Sequence, residues 1–147
     1  MTLTRLLVID ASTNKRIATE LKSRGRAARS TTEMGLRCAL DPELLSALRE
    51  LDDGWVLVAA DDHMPEDHSD VVYDLRPTIA IIDPVVPADY DSDDEYERDV
   101  VHKWAHRIQL QEEGTIFRYN IRGRHVWKSP RRPSGPFRAQ PPAAPES

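Results

Sequence analysis

A chain of 147 residues, 39% hydrophobic and 31% charged, has the make-up of a soluble protein with one core and a modest appendage. Its single cysteine, Cys38, excludes an internal disulfide and lacks zinc-site spacing, and a chain this long buries roughly two-thirds of its unfolded surface without such a staple. The net charge of −5 divides unevenly, since residues 1–113 hold 13 basic against 24 acidic side chains and residues 114–147 hold 7 against 1, so that a basic end meets either a polyanion or only solvent.

The opening, MTLTRLLVIDAST, has too few apolar residues before Asp10 for a signal segment or a membrane span, and with the unpaired cysteine it points to a cytoplasmic setting. RLLVI, Arg5 to Ile9, is a short apolar run of the kind buried on both faces of a parallel sheet, closed by Asp10. Ser12 or Thr13 caps the next helix, whose inner face is Ile17, Ala18 and Leu21 and whose end is marked by Gly25. AARS, Ala27 to Ser30, is a short second strand. In LDPELLSALREL, Asp41 stands at the N-cap, Pro42 in the first helical position, and Leu44, Leu45, Leu48 and Leu51 on one face.

WVLVA, Trp55 to Ala59, is the third strand. One helix then runs from after Pro65 through Val71, Val72 and Leu75 to the Pro77 breaker, and TIAIID, Thr78 to Asp83, is the fourth strand. Strands alternating with helices at these intervals predict βαβ units, hence a parallel sheet with right-handed crossovers. After the acidic stretch from Asp89 to Glu97 comes a long helix with Val100, Val101, Trp104, Ala105 and Ile108 at helical spacing, packing back on the sheet. Thr115 to Lys128 alternates around Arg122-Gly123 like a hairpin. The expected organisation is one α/β domain over residues 1–113, a basic hairpin appendage over 114–128 and a disordered Pro-rich tail over 129–147.

Ligands of open parallel sheets bind beyond the carboxyl ends of the strands, and three of these strands end in Asp10, Asp61 and Asp83. Carboxylates gathered there repel one another. A hard divalent cation, Mg²⁺ or Mn²⁺, relieves that repulsion and supports phosphoester hydrolysis by activating water and neutralising phosphate oxygens.

LLVIDASTNKRIATELKSRG, TTEMGLRCALDPELLSALREL and WVLVAADDHM, in that order, resemble the PIN-like ribonuclease superfamily, above all the short PIN-like proteins related to VapC-type toxins of bacterial toxin–antitoxin modules. The resemblance covers roughly residues 5 to 84, with the order and spacing of its motifs kept. It implies a three-layer α/β/α fold around a central, mainly parallel four-stranded sheet, with the C-terminal helix and hairpin added to it. In that family an Asp ends the first strand, an acid follows, an Asp opens a central helix and a T-x-D motif ends a later strand. Asp10, Glu33, Asp41 and Asp61 take those positions here, Asp10, Asp41 and Asp61 being the catalytic set and Asp62 an auxiliary ligand. Two departures stand out. The family's D-E-N or D-A-N is Asp10-Ala11-Ser12 here, with Asn14 displaced by two, and its T-x-D is Ala59-Ala60-Asp61. The missing threonine hydroxyl removes a hydrogen bond that steadies a ligand, a loss worth about 10–100-fold in metal affinity.

Each candidate has a plainer reading. Asp10 can help cap the next helix, Asp41 is what any helix start wants, Asp62 serves the turn before Pro65, and Glu33 is an ordinary loop acid. Asp83 before Pro84 begins a turn. His102 and His106 share a helix face at zinc-binding spacing but have no third ligand in sequence, His63 can face the cleft, and Cys38 reads as a small buried filler. In the hairpin, Phe117, Tyr119 and Trp127 stand among Arg118, Arg122, Arg124 and Lys128: one reading stacks bases on the rings and holds phosphates with the cations, the other turns one face into sheet core. With Arg16 and Arg37 these cations would draw RNA toward an acidic cleft.

The expected function is a Mg²⁺- or Mn²⁺-dependent endoribonuclease acting on RNA, as the toxin partner of an antitoxin protein or in RNA processing, and able to form a homodimer. The alternative is a PIN-like binding module without catalysis, holding RNA or a partner protein. A receiver domain shares the LLVID opening but needs its acid pair at the end of the first strand, whereas here the pair is Asp61-Asp62.

Overall fold

The computed structural model describes residues 4–14, 16–37, 41–51, 54–61 and 64–127. Cys38, Asp62, His63 and Lys128, and the proposed tail over 129–147, lie outside the described residues. In chain order the elements are β1 (Leu6–Ile9), α1 (Arg16–Ser23), β2 (Ala28–Ser30), α2 (Asp41–Arg49), β3 (Trp55–Ala59), α3 (Met64–Asp67), α4 (Ser69–Leu75), β4 (Ile79–Ile82), α5 (Asp93–Gln109), β5 (Ile116–Tyr119) and β6 (Arg124–Val126).

The central strands read LLVI, WVLVA and IAII without polar interruption because both faces of the sheet are covered. On one face Leu7, Ile9, Val56, Val58, Ala80 and Ile82 meet α1 and α5; on the other Val8, Leu57, Ile79 and Ile81 meet α2, α3 and α4. Each Val, Leu or Ile side chain among them, fully buried, stabilises the fold by about 1.5–3 kcal/mol. The strand order is β2-β1-β3-β4-β5-β6, with every neighbouring pair parallel except β5 and β6.

The expected α/β class and parallel sheet are therefore present, but the described sheet has six strands where four were expected. Within the segment expected as an appendage, β5 and β6 continue the same sheet. Ile116 pairs with Ile79 and Tyr119 with Ile82, and Gln111 fixes the junction by donating to the carbonyls of Ile79 (2.8 Å) and Thr115 (2.9 Å). Tyr119, in turn, donates its hydroxyl to Gln111 Oε1 at 2.8 Å.

The single helix expected after Pro65 is broken in two. His68 has φ −120° and ψ 40°, and its ring, instead of capping α4, turns to Asp41. At α5, Ser92 caps the N-terminus by accepting the Glu95 amide at 3.1 Å, acids fill the first turn, and His106 and Arg107 lie in the last, all as the helix dipole favours.

Three crossovers share one hand and the fourth has the other. The steps from β1 to β2 over one face and from β2 to β3 and β3 to β4 over the other share one hand. The step from β4 to β5 moves in the same direction as the two before it, yet α5 lies on the α1 face, so this crossover has the opposite hand. The physical reason is cover: α1 has eight residues and lies over β1 and β2, and only α5 shields Val56, Val58, Ala80 and Ile82.

Candidate functional site

Doubly wound sheets of order 2-1-3-4-5 form their crevice where the chain reverses direction across the sheet, which is between β1 and β3. Asp10 follows β1 and Asp61 follows β3, so two of the expected acids flank that point at the carboxyl-terminal rim. Because α2 runs back across the sheet from this rim, Asp41 in its first turn lies at the same end.

Asp10 is half-buried and held by its own turn. Its Oδ2 accepts the Ser12 hydroxyl at 2.5 Å and the Ser12 amide at 3.2 Å, while its carbonyl accepts the Thr13 hydroxyl at 2.7 Å. The same Ser12 Oγ accepts the Ala60 amide at 3.2 Å, clamping the end of β1 to the end of β3. Ser12, a residue the sequence offered only as a helix cap, thus joins Asp10 to the end of β3.

Asp41 is half-buried, and burial pushes its carboxyl above the usual carboxylate range. His68 opposes that shift, its Nε2 lying 3.4 Å from Asp41 Oδ2, whereas the charges of Asp10, Asp61 and Asp67 reinforce it. Asp10 and Asp61 are therefore both within electrostatic reach of Asp41, with His68 and Asp67 as further neighbours that sequence reasoning missed. No spacing in the chain announces them; their position comes from the break between α3 and α4.

Convergence stops short of a ligand set. Among the described residues, no group of three or more His, Cys, Asp or Glu side chains is arranged to hold a metal ion. Glu33, expected as a ligand, is engaged otherwise: it accepts Lys22 Nζ at 2.5 and 2.6 Å and the Ser30 amide at 2.8 Å, and the lysine holds its carboxyl below the ordinary range. Asp62 lies outside the described residues.

On the α5 side of the rim, a cleft of about 250 Å³ is lined by Ser12, Ala60, Asp83, Asp93 and Glu97, among others. Asp83 accepts the Val85 amide at 2.9 Å, the turn role open to it from sequence. Glu97 accepts the Asn14 amide at 3.0 Å, and burial pushes its carboxyl up despite that bond.

The basic residues are less concentrated than expected. Arg16, at the start of α1, and Arg37, in the loop before α2, are exposed near the acid rim, and Arg122 is exposed in the turn between β5 and β6. Arg118 is half-buried on β5, and Arg124 lies over the Phe117 ring at 4.7 Å. Tyr119 is 1% exposed and belongs to the core, so it cannot stack a base; Trp127 packs partly against the α2 and α4 face. Phe117 and Tyr119 thus pack with the core on the α1 and α5 face, and Trp127 with the core on the other. His102 binds Glu20 Oε1 at 2.9 Å beside Arg98, a link between α1 and α5, and His106 is exposed.

No helix among the described residues is long and apolar enough to cross a membrane. Compared with family models, curated proteins and solved structures, the chain matches none.

Proposed function

We propose that the chain is a metal-dependent endoribonuclease of the PIN-like class, with the toxin of a toxin–antitoxin pair as the role such a short nuclease would fill. The observation that carries this reading is the placement of Asp10 after β1, Asp61 after β3 and Asp41 in the first turn of α2, all at the rim of the crevice between β1 and β3. Three carboxylates at one rim offer the hard oxygen donors that Mg²⁺ or Mn²⁺ prefers, and these three residues would hold the ion. When bound, it would lower the pKa of a water molecule and offset charge on phosphate oxygens. Ser12 keeps the Asp10 carboxylate oriented, and His68 sets the direction of Asp41. Arg16, Arg37 and Arg122 would offset the repulsion between an acidic rim and RNA.

Asp10→Asn and Asp61→Asn are expected to abolish Mg²⁺- or Mn²⁺-dependent cleavage of RNA while the circular dichroism spectrum stays that of the parent. Cleavage at the parental rate by both variants would refute the assignment. The second reading, a PIN-like module that binds RNA or a partner protein without catalysis, draws on the lack of a preformed ligand set among the described residues. Calorimetry with Mn²⁺ separates the two: saturable binding lost in Asp10→Asn belongs to the nuclease, and no saturable binding belongs to the module.

A further inference from the structure

At the amino-terminal ends of the strands, opposite the acids, lies an open groove of about 490 Å³. Arg5 just before β1, Arg49 in the last turn of α2 and Arg76 at the C-cap of α4 line it, together with Trp55 at the start of β3. In residues 1–113 acids outnumber bases by 24 to 13, yet among the described residues this groove gathers three guanidinium groups from distant parts of the chain against one carboxylate, Glu113.

Those cations are not absorbed by the fold. Among the described residues neither Arg49 nor Arg76 has an ion-pair partner. Arg5 is half-buried and fixed, its Nε donating to the Gln111 carbonyl at 2.7 Å, and its Nη1 lies where Gly54 leaves room: a Cβ at Gly54 would stand 3.1 Å from it. Guanidinium groups that outnumber the carboxylates around them repel one another, and a phosphate, which accepts paired N–H bonds from arginine, relieves that repulsion. Half-buried Trp55 adds part of an indole ring to the wall, a surface on which a planar base can lie. The volume is within the range of small-ligand sites, about 300–1,000 Å³.

We propose that this groove binds a nucleoside phosphate, with the phosphate among Arg5, Arg49 and Arg76 and the base against Trp55. The site is independent of the acids, since the whole length of the strands separates the two rims.

Isothermal titration of the full chain in EDTA, with ADP, AMP, inorganic phosphate and adenosine as probes, tests it. ADP and AMP are expected to bind saturably and more weakly as salt rises, with adenosine and inorganic phosphate at least tenfold weaker. The double variant Arg49→Ala with Arg76→Gly is expected to lose at least tenfold in ADP affinity; glycine adopts the backbone of position 76 freely, and a thermal melt verifies that the fold persists. Asp10→Asn is expected to bind ADP as the parent does. No binding of ADP at millimolar concentration, adenosine or phosphate binding as tightly as ADP, parental affinity in the double variant, or weakened ADP binding by Asp10→Asn would each overturn the assignment.

Discussion

At the carboxyl-terminal ends of the strands the chain sets Asp10, Asp41 and Asp61 within electrostatic reach of one another, and at the amino-terminal ends it sets Arg5, Arg49 and Arg76 around one groove. The two rims are built from the same elements. Helix α2 begins with Asp41 and ends with Arg49; the segment of α4 begins beside His68 and ends at Arg76. Helix α2 follows the dipole rule, with acid at its start and base at its end, and α4 has Asp70 in its first turn and Arg76 at its C-cap; because both run back across a parallel sheet, those ends fall at opposite rims. A polarity that is a small helix-by-helix preference thereby becomes a chemical difference between two surfaces.

If that account is right, loosening α2 damages both rims together. Leu48 is fully buried on its inner face with Leu44 and Leu45. Leu48→Ala is expected to destabilise the protein by about 2–5 kcal/mol, the largest effect considered, read from the urea midpoint. Divalent-ion and nucleotide binding should then be lost at the same denaturant concentration. Loss of one well before the other would mean that the rims are held by separate parts of the structure.

Legibility in the sequence followed the distance over which each contact acts. Continuous apolar runs identified β1, β3 and β4, and the leucine spacing identified α2, because both signals are local. The place of β5 was not local: Ile116-Phe117-Arg118-Tyr119 alternates as a half-exposed hairpin would, and only its pairing with β4 makes it a sheet interior strand. The site divides in the same way. Asp10 and Asp61 were visible as strand ends, but Ser12 acts by accepting the amide of Ala60, 48 positions on, and His68 by meeting Asp41. Glu33 was misjudged because Lys22, eleven positions earlier, takes its carboxylate. The arginine groove carries no sequence motif at all.

The acid rim can be sharpened next. Ser12→Ala removes the hydroxyl that joins Asp10 to Ala60 without touching any expected ligand. Mn²⁺ affinity and RNA cleavage are expected to fall about 10–100-fold, with nucleotide binding at the opposite rim unchanged. An unchanged cleavage rate would show that Asp10 does not depend on this clamp.

Smaller still is the pH dependence that the burial of Asp41, reinforced by the neighbouring acids, implies. The Asp41 carboxyl is raised in the folded state, so its contribution favours folding below the ordinary carboxylate pKa and is lost as pH rises through its raised value. Asp41→Asn should therefore gain stability relative to the parent as pH rises through that window, seen as diverging urea midpoints. Mn²⁺ should stabilise the parent above the window and not the variant. Midpoints that run parallel across pH would show that the Asp41 carboxyl is not raised by its burial and its acidic neighbours.

The smallest effect is expected at the basic rim. Arg76 has φ 48°, and among the described residues it is the one non-glycine side chain with positive φ. For an L-residue this left-handed conformation costs about 1–2 kcal/mol. Glycine avoids that cost, but a glycine loses about 0.5–1 kcal/mol more in chain entropy on folding. Arg76→Gly is therefore expected to leave the urea midpoint near its parental value, with a net gain of at most about 1 kcal/mol. Nothing in the surroundings opposes the change: the Arg76 amide bond to the Val72 carbonyl at 2.9 Å is a backbone contact that glycine keeps. A loss of stability beyond about 1 kcal/mol would mean that the guanidinium supports the fold. The amino-terminal rim would then be a structural feature, and the contrast between the two ends of the sheet would reduce to one functional surface and one scaffold.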